Sequence, residues 1–205
     1  MGVPSLNAKN IAPEWTYDVL HGRDADETHN GGKGNDFNAG RKGDNRLFGD
    51  KGDDYLEGGK GDDYLQGGTG DDALNGGDGN DLIDGGFGLD VLTGGEGSDR
   101  FIYSNFKESK QGPQSRDVIT DFSSTEDDKI DLSAIAEDFV FIGSSDFTGT
   151  KNEIRFDDGI LQISTETADF YAPLFNFYEP DSAPTPVFEI QLIGIDSLSV
   201  DDLIL

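Results

Sequence analysis

Cysteine is absent from the sequence, and histidine occurs only as His21 and His29. Disulfide staples and thiol chemistry are therefore excluded. The two histidines do not form the H-E-x-x-H spacing that a zinc protease needs, so no such centre can be assembled. There is no G-x-S-x-G nucleophile elbow either. No run of about 20 apolar residues is available to cross a bilayer. The N-terminal stretch MGVPSLNAKNIAPEW has neither a charged n-region nor an apolar h-region, so it is not read as a Sec signal. Positive charge is scarce. The 15 Lys and Arg face 42 Asp and Glu, a net charge of −27 over 205 residues. Such a chain is no natural partner for nucleic acid, and its self-repulsion opposes collapse of the bare polypeptide.

What is present is glycine and aspartate in strict register. From Gly31 to Ile102 the sequence reads GGKGNDFNA, GRKGDNRLF, GDKGDDYLE, GGKGDDYLQ, GGTGDDALN, GGDGNDLID, GGFGLDVLT, GGEGSDRFI, with no insertion between units. Glycine at the first, second and fourth positions permits sharp turns that aim carbonyls inward. The sixth position supplies a carboxylate at Asp36, Asp54, Asp63, Asp72, Asp81, Asp90 and Asp99, with Asn45 as the exception. Carboxylates and carbonyls together suit Ca2+, which takes roughly 6–8 oxygens at about 2.3–2.6 Å in irregular geometry. Magnesium demands a stricter octahedron, and soft metals lack ligands here. The carbonyl donors expected are the fourth-position Gly34, Gly52, Gly61, Gly70, Gly79, Gly88 and Gly97 and the second-position Gly59, Gly68, Gly77, Gly86 and Gly95.

The last three positions predict a very short strand around one apolar residue: Leu47, Leu56, Leu65, Leu74, Ile83, Leu92 and Phe101. One such residue in nine makes no ordinary core, but stacked copies make a ladder. Turn, strand, turn, strand would coil into a flattened roll with two units per coil. The aspartates then fall into like-sided series of 36, 54, 72, 90 and of 45, 63, 81, 99. Three gaps in each series predict about six ions, one of them weak beside Asn45. A flexible Gly/Asp linker is the bland alternative, but a linker needs no apolar residue in register; it describes the calcium-free chain. Because bound metal offsets the charge, folding and binding are expected to be coupled.

The flanks divide the chain into a tail and cap over 1–21, the repeats over 22–102 and a β-rich C-terminal cap over 103–205. Residues 1–12 are featureless. Extending the frame backwards puts Asp18 and Leu20, then Glu27 and His29, at the sixth and eighth positions of two degenerate cap coils, with Trp15 and Tyr17 as covering aromatics. Arg41 and Asp50 replace second-position glycines, and Asn38 stands where an apolar residue belongs. Further on, Asp117–Phe122 and Val187–Ile193 read as strands. Asp128–Ser133 leads into a short helix capped by Asp131 or Ser133. Glu153–Phe156 and Ile160–Ile163 flank a hairpin turn at Asp157-Asp158-Gly159. Phe170–Tyr178 is aromatic-rich, Glu179–Pro186 is a loop, and Ser199–Asp202 starts one helical turn.

The nonapeptides resemble RTX repeats, whose fold is a right-handed parallel β-roll. The downstream stretches GGEGSDRFIYS, RDVITDF, DDKIDLSAI and FEIQLIGIDSLSVDDLIL are similar to the C-terminal module of serralysin-type metalloproteases and to the R-modules of mannuronan C-5 epimerases. The resemblance covers Gly22–Leu205. It implies a calcium-binding, non-catalytic module of a secreted, extracellular protein, exported by an ABC-type (type I) secretion machinery that reads the acidic-then-apolar end Asp201–Leu205. It also implies a ligand role for Asp117 or Asp121; read from the residues alone, these are plain strand-end carboxylates. The alternative it offers is glycan binding. Phe37, Tyr55 and Tyr64, with Lys33, Lys42, Arg46, Lys51 and Lys60 nearby, would then form a strip for an anionic polysaccharide. The bland reading of that strip is ordinary β-propensity and charge balance.

Overall fold

The computed structural model describes residues 5–7, 17–110, 112, 114–135, 138–148, 152–164, 186 and 188–205. Within the repeats every unit contributes one strand, and successive strands alternate between two sheets. One sheet takes β1 (Ser5–Asn7), β3 (Thr28–Lys33), β5 (Arg46–Lys51), β7 (Tyr64–Thr69), β9 (Leu82–Phe87) and β11 (Arg100–Ile102). The other takes β2 (Val19–His21), β4 (Phe37–Lys42), β6 (Tyr55–Lys60), β8 (Ala73–Asp78) and β10 (Val91–Glu96). All these neighbours pair in parallel. The protein is an all-β parallel β-roll.

The register follows from the eighteen-residue step of two units. Leu47 pairs with Leu65, Leu65 with Ile83, and Ile83 with Phe101. On the opposite sheet Asn38, Leu56, Leu74 and Leu92 align in the same way. The two apolar columns face each other, and their members from Leu47 to Phe101 are almost wholly buried. Stacking therefore supplies the burial that one unit cannot supply alone. His29 and Asn38 extend these columns at the N-terminal end and are also buried. Asn38 donates its amide to the Phe48 carbonyl at 2.9 Å, but its own Oδ1 and His29 Nδ1 lack partners.

The strands are longer than predicted. Strands β3 to β10 each span six residues and take in the first three positions of the following unit, as in Tyr55–Lys60. Glycines there are needed for close approach as much as for turning. A Cβ on Gly77 would overlap the Gly59 carbonyl oxygen of the preceding coil, and the residue also has a φ of 117°. Arg41 and Asp50 occupy equivalent places with φ of 81° and 75°, in the left-handed region that costs a side-chain-bearing residue roughly 1–2 kcal/mol.

The C-terminal half continues both sheets. β12 (Asp117–Ile119) extends one, followed by β17 (Phe188–Leu192), β16 (Ile160–Ser164), β15 (Glu153–Asp157) and β14 (Val140–Phe141). β13 (Lys129–Asp131) and β18 (Leu203–Ile204) extend the other. β15 and β16 form the expected antiparallel hairpin. Tyr103 and Phe188 meet edge-on at 5.2 Å between ring centres and fill the end of the core. Ser199 caps a single 3₁₀ turn at Val200–Asp202, its main-chain N–H donating to Asp202 at 2.7 Å.

Three expectations are corrected. The helix after Asp128 is a turn over 133–135: Asp131 spends one oxygen on the Ser133 N–H and the other on Arg100. The featureless N-terminus contains β1, which pairs with β3. Tyr17 does not cover the end of the roll; it is 74% exposed. Trp15, the aromatic stretch 170–178 and the loop 179–185 lie outside the described residues.

Replacing Asp50 with glycine removes strained backbone and one charge that repels Asp36. We expect the calcium-loaded protein to melt roughly 2–4 °C higher, as about 1 kcal/mol gives in a domain of this size. Gly77→Ala should lower the melting point by more than that. A neutral Gly77→Ala, read by thermal circular dichroism, would contradict the close coil contact.

Candidate metal centre

The turns stack along the two long edges of the roll. The first edge carries Asp18, Asp36, Asp54, Asp72, Asp90 and then Asp117. The second carries Glu27, Asn45, Asp63, Asp81, Asp99 and then Asp128. On each edge the sixth-position residue uses one side-chain oxygen to accept the main-chain N–H of its counterpart one coil earlier. The distances run from 2.6 Å, for Asp36 N–H to Asp54, to 3.1 Å, for Glu27 N–H to Asn45. Asp90 N–H donates to Asp117 and Asp99 N–H to Asp128, so both ladders leave the repeats without a break.

The second oxygen of each aspartate is the informative one. Oδ2 of Asp36, Asp54, Asp63, Asp72, Asp81, Asp90, Asp99 and Asp117 is buried and has no hydrogen-bond partner. Unpaired buried charge is costly. Burial pushes Asp54, Asp72, Asp81 and Asp90 up to about 7. It lifts Asp63 and Asp99 to about 6, Asp117 to about 8, and Asp36 above its ordinary range. Neighbouring carboxylates add to the burial, as Asp72 does for Asp54. Among the described residues no three His, Cys, Asp or Glu side chains converge to hold a metal by themselves. Main-chain carbonyls must complete any coordination shell. Carboxylate and carbonyl oxygens with no nitrogen or sulfur donor fit a hard divalent cation.

Of the glycines proposed as carbonyl donors, the fourth-position ones lie in these turns and the second-position ones in the strand ends just before them. Gly34, Gly52, Gly61, Gly70, Gly79, Gly88 and Gly97 have positive φ, as do Gly59, Gly68, Gly77, Gly86 and Gly95. Asn45 is in the ladder, but its amide nitrogen donates to the Gly43 carbonyl at 2.8 Å. Asp117 continues the row of bare carboxylates. Asp121 instead accepts the Gly94 and Gly95 N–H groups at 3.0 and 2.9 Å.

Two features escaped the sequence reading. Asp128 ends the second edge, with its other oxygen accepting the Ser123 N–H at 2.8 Å; its signal was the Asp-x-Ile spacing of Asp128 and Ile130. The fifth positions form a second, outer ladder of opposite sense. There Asp44, Asp53, Asp62 and Asp71 each donate their N–H to the counterpart one coil earlier, at 3.0 Å. Its signal was a short polar residue at all eight fifth positions except Leu89.

On the outer faces Phe37 and Tyr55 stack in parallel, 5.2 Å apart and 3° from coplanar. Arg46 lies over the Tyr64 ring at 5.2 Å. Lys42 pairs with Asp24, and Lys60 with Asp78.

The family model described as peptidase M10 serralysin C terminal matches residues 31–204. The model for the RTX calcium-binding nonapeptide repeat, in four copies, matches residues 17–37, the region of the degenerate coils. Two solved structures of subunits of the Azotobacter vinelandii mannuronan C5-epimerase are similar. The AlgE6R3 subunit shares 25% identity, with a TM-score of 0.38, over 100% of this chain and 84% of its own. The AlgE6R2 subunit shares 31%, with a TM-score of 0.45, over 78% of this chain and 86% of its own. No curated protein matches the chain.

The raised carboxyl values make a prediction about pH. The folded, metal-free roll holds protons that the unfolded chain releases near the ordinary 3.8. Stability in chelator therefore falls as pH rises from about 4 to about 7. We expect β-sheet circular dichroism in excess EDTA to be stronger at about pH 5 than at about pH 8. A signal that does not change, or that grows with pH, would show that these carboxylates are not desolvated.

Proposed function

The chain belongs to the peptidase M10 serralysin C-terminal family, and from that membership we propose that it is a non-catalytic calcium-binding module of a secreted protein. It folds on extracellular calcium and supports the export and stability of its parent through an ABC-type secretion machinery. The observation that carries the calcium reading is the double row of buried carboxylate oxygens without partners.

Calcium supplies positive charge and a large oxygen shell. Asp36, Asp54, Asp72, Asp90 and Asp117 would hold it along the first edge, and Asp63, Asp81 and Asp99 along the second, each with turn carbonyls. About six ions would offset a little under half of the net charge of −27. Extracellular modules of this kind bind at roughly 10⁻⁴–10⁻³ M, far above cytosolic calcium. Inside a cell the chain stays open, which suits translocation. Outside, the coils close. The terminal Leu203–Ile204 strand then pairs beside Ile130 and Asp131, so the segment presented to the exporter is withdrawn into the fold.

The second reading is a glycan-binding module, favoured by the outward row of Phe37 and Tyr55 and by Arg46 over Tyr64. Calorimetry with anionic oligosaccharides on the loaded module separates the two.

Asp72 lies between Asp54 and Asp90, both with bare oxygens, whereas Asp36 has such a neighbour only at Asp54. Asp72→Ala should raise the calcium midpoint of folding by roughly twice as much, on a logarithmic scale, as Asp36→Ala, since each opened gap removes a comparable binding free energy. Equal shifts would contradict ion sites shared between stacked turns.

A further inference from the structure

We propose that the Asn45 turn is closed by its own amide and takes no cation, so that ions are shared unequally between the two edges. The inference rests on the calcium reading and deepens it.

Asn45 is buried, with its two polar atoms committed. Oδ1 accepts the Glu27 N–H at 3.1 Å, and Nδ2 donates to the Gly43 carbonyl at 2.8 Å. These partners fix the orientation of the amide. A flipped group would set NH2 against N–H and oxygen against a carbonyl. The amide nitrogen stands where the aspartates keep a bare oxygen. A Cβ built on Gly40 would lie 2.6 Å from Asn45 Nδ2, and one built on Gly31 would lie 2.6 Å from Asp36 Oδ2. In the aspartate turns neither the fourth-position carbonyl nor the ionised carboxylate carries a proton, so a cation would join them. In this turn the N–H does so.

Neighbouring groups close the same edge at both ends. Glu27 Oε2 accepts the Arg23 N–H at 2.8 Å, and Arg23 Nε lies 3.5 Å from Glu27 Oε1. At the far end both Asp128 oxygens are engaged, by Asp99 and Ser123 N–H. On the second edge Glu27 Oε1 also lacks a hydrogen bond, but it lies beside the Arg23 guanidinium and its neighbour one coil on is Asn45, so successive coils with bare carboxylate oxygens are those of Asp63, Asp81 and Asp99, which bound two gaps. The first edge has Asp36, Asp54, Asp72, Asp90 and Asp117, which bound four. The ions would divide about four to two rather than three to three.

The test is calcium stoichiometry by equilibrium dialysis on the full chain, for wild type, Asn45→Asp and Asn45→Ala. Thermal melts in EDTA and in saturating calcium accompany it. Asn45→Asp should gain one ion per chain, hold less β structure than wild type in EDTA and melt higher in saturating calcium. Asn45→Ala should gain no ion and melt lower than wild type in saturating calcium. Equal stoichiometry in wild type and Asn45→Asp would overturn the proposal, as would an Asn45→Asp chain that fails to fold at saturating calcium. A wild type that binds no calcium would overturn the calcium reading instead.

Discussion

The structure depends on how buried carboxylates are neutralised. A roll whose interior is one apolar residue deep on each side has little hydrophobic stabilisation per unit length. Its edges hold aspartates whose outer oxygen is spent on a main-chain N–H and whose inner oxygen has nothing to bind. Left alone, that arrangement costs the fold the hydration that each carboxylate keeps in the unfolded chain. Positive charge placed between the turns would offset that cost. Metal and polypeptide are then parts of one cooperative structure.

The hydrogen-bond geometry makes the arrangement directional. Along each edge the inner ladder runs from the sixth-position N–H groups to a side-chain oxygen one coil later. The outer ladder runs from fifth-position N–H groups to a side chain one coil earlier. Two ladders of opposite sense hold neighbouring coils at a fixed spacing, so adjacent carboxylates remain close. The C-terminal half uses the same device. Asp117 and Asp128 take up the ladders where the nonapeptides stop, and β12 and β13 take up the sheets. The end of the roll is thus finished by strands that imitate a repeat without its glycines.

Much of this was legible in the sequence because a strict period leaves little freedom. Nine residues per unit, with the apolar residue always eighth, force stacking at eighteen and place Asp36 over Asp54 and Leu47 over Leu65. What escaped depends on contacts between coils, which no single unit displays. The sixth carboxylates of the second edge do not end with the glycine pattern, because Asp128 follows a loop of its own. Strand length was underestimated because the first glycine looks like a turn residue, whereas it is in the sheet for lack of room. The capping pattern at Asp131 predicts a helix; the local bond from the Ser133 N–H forms, with Arg100 on the other oxygen, but the residues that follow make a turn over 133–135. In the degenerate coils the frame still held: Glu27 and His29 fall at the sixth and eighth places despite the missing glycines.

The central claim, that cations hold the two edges together, is tested most directly by residue-resolved amide hydrogen exchange. The main-chain N–H groups of Asp36, Asp54, Asp63, Asp72, Asp81 and Asp90, each bonded to a carboxylate of the next coil, are compared in saturating calcium and after excess EDTA at neutral pH. The account predicts strong, collective protection with calcium and its loss at all six amides in chelator. Protection that persists in EDTA would mean that the roll stands without metal, and would contradict it.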